Sequence, residues 1–202
     1  MLPSGNNYYN GYNQDVDVGV YNEFTTNAFR LHTLVRTSFS QIHPSYPTKI
    51  FSLQDVTFRA VVAHEGSGVD GLLIGATVDT ISKFDSAFTT GLQNKLFEVP
   101  NNQNSTIKRF DLAALNINRC REHGCAPYIE YREWCGLSRP TRFSDLVEMD
   151  AANQAKLASM YQDVASIELF VGGSLEKPLS GSLVRKKKNV EPFFFCYFSN
   201  MN

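Results

Sequence analysis

Phe110-Asp111-Leu112-Ala113-Ala114-Leu115-Asn116-Ile117-Asn118-Arg119-Cys120-Arg121-Glu122-His123-Gly124, followed by Pro127-Tyr128 and Trp134-Cys135-Gly136-Leu137, is the stretch of this 202-residue chain on which the fold turns. It predicts a helix from about residue 111 to 122. A second helix follows, with Pro127 in its first turn, where a missing N–H costs nothing, and it stops before Gly136. Asn116 and Arg119 are three residues apart, so they share one face of the first helix, about 60° apart around its axis.

Working outward, the pattern stays helical. Upstream, Phe24, Ala28, Leu31 and Val35 recur at i, i+4, i+7 and i+11 behind a candidate cap at Asn22, which predicts a helix over 22–39. Pro44 and Pro47 break the chain. Ser52 with Asp55 opens a second helix over 52–65, closed by the Gly66-Ser67-Gly68 turn. Ile81, Phe84, Phe88 and Leu92 support a third. Downstream, Asp150 caps a helix to about residue 161, and 167–173 reads as less regular because of Gly172-Gly173. The expectation is a mainly α fold in which 1–21 is an irregular lead-in, 22–184 the domain, and 185–202 a basic and aromatic tail of different character.

Composition narrows the function. Lys and Arg number 19 against 20 Asp and Glu, a formal charge of -1, so nothing draws the whole molecule to nucleic acid. Hydrophobic residues at 43% and aromatics at 12% are those of a folding chain. No apolar run reaches the length of a membrane span, and the first residues lack the regions of a signal peptide. Asn104-Ser105-Thr106 is a glycosylation sequon if the protein is secreted. Of the four cysteines, Cys120 and Cys125 read as small packing residues, and CxxC spacing for zinc is absent.

The 110–137 stretch, with Asn22-Glu23-Phe24, Ala28-Phe29-Arg30-Leu31-His32-Thr33-Leu34, Ile167-Glu168-Leu169-Phe170-Val171-Gly172-Gly173 and Glu176 in order around it, closely resembles the animal haem peroxidases. The resemblance implies a partial haem peroxidase-like helical domain, an oxidoreductase using hydrogen peroxide and an unknown donor, haem b as cofactor and an extracellular setting. It makes His32 the iron ligand, Asn116 the hydrogen-bond partner of the ligand's other nitrogen, and Arg30 and Arg119 the partners of the haem propionates. It matches Cys135 to a disulfide-bonded cysteine. Cys196 follows an apolar stretch after a proline as that cysteine's partner does, at a different spacing.

The chemistry of these residue types fits. A neutral imidazole binding a metal needs its second nitrogen oriented by an acceptor, and guanidinium matches carboxylate through paired hydrogen bonds. One departure lies in the Arg30-Leu31-His32 spacing, which is one residue shorter than the family's. On a continuous helix two steps set side chains about 160° apart. Either His32 binds iron and Arg30 points away, or Arg30 keeps its place and Thr33 takes the ligand position, with His32 the preferred reading. The other departure is the family's distal half: its catalytic histidine and arginine, its calcium loop and its haem-esterifying carboxylates have no counterpart in this chain. A truncated gene product with an exposed apolar haem face, prone to association, is therefore expected, with a catalytically incompetent binding or adhesion module as the alternative. His43, His64 and His123 are read as structural.

Overall fold

The computed structural model describes residues 11–16, 18–98 and 109–178. Where local signals are strong the chain obeys them. Helix α4 (Leu112–Glu122) starts as Asp111 accepts a hydrogen bond from the Ala114 N–H at 3.0 Å. Helix α5 (Tyr128–Trp134) follows Pro127 and ends at Cys135, with Gly136 in the left-handed region beyond it. Helix α6 (Ala151–Met160) is capped by Asp150, whose carboxylate accepts from the Asn153 N–H at 2.7 Å. Each cap satisfies N–H groups that the first turn leaves without helical partners.

Upstream the structure departs from the periodicity. The helix predicted over 22–39 is a five-residue π-turn (Phe24–Ala28), a 3-10 turn (His32–Leu34), and then strand β1 (Ser38–His43). Strand β1 pairs antiparallel with β2 (Tyr46–Ser52), so Pro44 and Pro47 mark a hairpin rather than a simple break. Tertiary contacts overrule the helical spacing here. The Asp79 carboxylate takes the Ser40 N–H at 2.8 Å and pairs with Arg36 at 3.0 Å, stabilising extended backbone at β1.

Ser52 does cap a helix, α1, but it is only Leu53–Val56, with a separate 3-10 turn at Ala60–Ala63. The Gly66-Ser67-Gly68 turn opens a helix that the sequence pattern missed, α2 (Gly68–Val78). Its Gly75 lies so close to β1 that a Cβ there would sit 1.8 Å from the Ser40 carbonyl oxygen. The third predicted helix shrinks to α3 (Thr90–Gln93).

Segment 167–173, read as irregular, holds α7 (Leu169–Ser174). Gly172 lies inside it because a Cβ there would meet the Tyr128 ring at 2.2 Å. It permits close helix packing rather than ending the helix. Tyr128, Ile129, Leu146, Met149, Leu157, Val164, Ile167 and Leu175 form the larger apolar core around α5 and α6. Arg132 and Glu148 form an ion pair, both essentially inaccessible to solvent. Among the described residues no helix is long and apolar enough to cross a membrane.

Candidate functional site

Helix α4 and the segment 22–35 pack together and bring the sequence-predicted residues to one place. Asn116, fully buried, has its Nδ2 3.3 Å from His32 Nδ1, although 84 residues separate them. His32 is half-buried. Burial, and secondarily the charge of Arg30, hold its imidazole below the usual 6.5, which favours the neutral form a metal ligand requires. Burial, and after it the charge of Arg119, hold the Arg30 guanidinium below its usual value. Arg30 donates from Nε to the Thr25 carbonyl at 2.9 Å, and Arg119 pairs with Glu122 at 2.9 Å.

The spacing conflict between Arg30 and His32 is resolved by the backbone. It supposed a continuous helix, but the chain leaves helical geometry between Phe29 and Leu31. Thr33, the alternative at the ligand position, is 2% exposed. Two of the three remaining histidines have local hydrogen-bond partners, and His64 is exposed at the end of the 3-10 turn at Ala60–Ala63. His43 Nδ1 accepts from the Ser45 N–H in the hairpin at 3.1 Å, and His123 Nδ1 lies 2.8 Å from Asn22 Oδ1.

Two features escaped the sequence reading. Cys120 and Cys125 are not separate packing residues but form a disulfide across the end of α4. The signal was there in their spacing around Gly124, in a turn tight enough to bring the two Cα atoms to 5.2 Å. A second cluster joins Arg121 and Tyr161 to the Glu168 carboxylate; burial pushes that carboxylate up, but its hydrogen bonds from Tyr161, Arg121 and backbone, with the Arg121 charge, together hold it below its usual range. Cys135 is buried and disulfide-bonded. Cys196 and the Asn104 sequon lie outside the described residues.

The family model for animal haem peroxidase matches residues 1–200. The chain belongs to the animal haem peroxidase family. Among animal haem peroxidases, mouse eosinophil peroxidase is 34% identical over 205 residues, covering 95% of this chain and 26% of its own length. A peroxidasin homolog of Caenorhabditis elegans is 36% identical over 185 residues, 87% of this chain and 14% of that protein. Peroxidase A from Dictyostelium discoideum superposes with a TM-score of 0.76 at 28% identity, over 96% of this chain and 35% of its own. This chain thus spans about a quarter of the length of the curated peroxidases it matches.

Proposed function

We propose that this chain supplies the proximal side of a haem site in a peroxidase-type oxidoreductase, with His32 as the iron ligand. The observation that carries the reading is the contact between His32 and Asn116 across 84 residues of sequence. As oriented, Asn116 Nδ2 faces the ring and its buried Oδ1 has no hydrogen-bond partner among the described residues. Half a turn of the carboxamide brings the oxygen to Nδ1, where it accepts a hydrogen bond from Nδ1–H and so favours the tautomer whose Nε2 lone pair is bare. The donor set therefore fits a haem iron. Arg30 and Arg119, whose guanidiniums match carboxylate through paired hydrogen bonds, suit its propionates. When bound, haem would supply the redox chemistry with hydrogen peroxide. This chain's residues bind it, fix the imidazole tautomer and neutralise its carboxylates.

Cleaving peroxide also calls for a positioned base and a cation on the opposite face. His43 and His123 are engaged elsewhere and His64 is exposed at a turn, and residues 1–202 alone are expected to bind haem with little turnover. The extracellular setting, the donor and the division of the chain at residues 21 and 184 belong to the same reading. Reconstitution with haem tests it. Loss of the histidine-ligated Soret signature in His32→Ala, and a weaker retention of haem in Arg119→Ala and Arg30→Ala, are expected. An unchanged spectrum in His32→Ala overturns the ligand assignment.

A further inference from the structure

His32 and Asn116 meet only if the segment 22–35 keeps its place on α4, and the ties that hold it lie at the other end of both elements. Asn22 Nδ2 donates to the His123 carbonyl at 3.0 Å. Thr26, 1% exposed, donates its hydroxyl to the Asn22 carbonyl at 2.8 Å, while the same oxygen lies 3.3 Å from Cys125 Sγ and 3.9 Å from Cys120 Sγ. Cys120 stands one helical turn beyond Asn116, so the face of α4 that reaches His32 also carries the disulfide. The bridge closes the turn in which the Cys125 N–H donates to the Cys120 carbonyl at 2.9 Å.

This disulfide is accessible as well as central. Cys120 is buried and Cys125 half-buried, and both border a cavity of about 90 Å³ that Arg121, Pro127 and Glu168 also line. We propose that the Cys120–Cys125 disulfide is a redox-addressable positioning element. Closed, it holds Thr26 and the end of α4 so that Asn116 meets His32, and opened by an external dithiol it lets that pair separate. The functional consequence rests on the haem reading above, whereas the mechanical coupling does not.

The chemistry balances with the dithiol as reductant. Its thiolate attacks Cys125 Sγ, the S–S bond breaks, and the electron pair leaves on Cys120 Sγ, which takes up a proton. The reagent's second thiolate then attacks its own sulfur in the mixed disulfide and releases Cys125 as a thiolate that is protonated in turn. Two electrons enter the protein and the reagent leaves as a cyclic disulfide. Each sulfur is then an S–H donor where the disulfide could only accept, so Thr26 Oγ1 gains donors while the turn loses its covalent closure.

The test uses the full chain without haem, labelled with nitrogen-15, in graded dithiothreitol. Alkylation and peptide mapping report which cysteines open, and the imidazole nitrogen spectrum, assigned with His32→Gln, reports the His32 tautomer. Cys120 and Cys125 are expected to open before Cys135, with a change in the His32 Nδ1 resonance while far-UV circular dichroism is retained. Cys120→Ser/Cys125→Ser should show that change without reagent, and so should Thr26→Val, whereas Thr26→Ser should retain the parent spectrum. Haem uptake should weaken by about tenfold or more on opening. A His32 spectrum unmoved by selective opening overturns the proposal, as does haem uptake that is measurable and equal in the closed and open forms. If the His32 spectrum moves and no form takes up haem, positioning stands and the haem reading falls.

Discussion

Between residues 128 and 175, eight buried apolar side chains pack into one cluster around the Arg132–Glu148 pair. Between 22 and 98 the pattern inverts. The buried side chains there are Thr26, Asn27, Ala28, Thr33, Gln41 and Val62, while Val69, Leu73, Ile74 and Val78 of α2 face outward together with Phe58 and Ile50. Helix α2 uses its glycines to touch β1, which leaves its large apolar residues for the opposite side. The later region carries a core of its own. The earlier one is a layer that packs by polar and small residues on one side and offers an apolar surface on the other, as expected of a part of a larger fold.

That contrast predicts unequal responses to mutation. The largest effect belongs to the later region: Glu148→Ala leaves the Arg132 guanidinium buried without its carboxylate and should cost about 3–5 kcal/mol, read as a lower urea midpoint. In the earlier region Gly75→Ala should cost about 1–3 kcal/mol, because the new methyl meets backbone at Ser40 that cannot rotate aside. A smaller cost for Glu148→Ala than for Gly75→Ala breaks the comparison.

A milder effect comes from pH. His32 is held below 6.5 in the folded chain, so as pH falls through 6.5 the unfolded chain binds its proton first and stability declines toward the lowered value. Above that window the group contributes no penalty. His32→Gln should flatten the decline in urea titrations between pH 7 and pH 5, and an equally steep decline in the variant would show that other groups cause it. The smallest effect is expected on the outward face of α2. Leu73→Ser and Ile74→Ser should change stability by about 0.5 kcal/mol or less while reducing binding of a hydrophobic dye and self-association. A loss of several kcal/mol would mean that this face is already buried in solution.

Legibility followed the same division. Helices α4, α5 and α6 were readable because Asp111, Pro127 and Asp150 act within one turn of themselves, and the apolar positions of those helices meet a core that is close in sequence. The stretch 22–39 was misread because Phe24, Ala28, Leu31 and Val35 do recur at helical spacing, and only Asp79, 39 residues beyond Ser40, shows why the backbone extends at its end. Of the candidate site, His32, Asn116, Arg30 and Arg119 were named through the family resemblance, but the break in helical geometry after Phe29 was not foreseen.

By itself, then, the sequence determined the helices at 112–122, 128–134 and 151–160, since caps and turn residues are local chemistry, while its candidate haem-site residues came from the family resemblance. Tertiary structure alone decided that β1 pairs with β2, that α2 exists at all, that Cys120 bonds to Cys125, and that Asn116 reaches His32. These depend on which surfaces meet, and contacts between residues far apart in sequence are selected by packing and hydrogen-bond satisfaction across elements, which no local window contains.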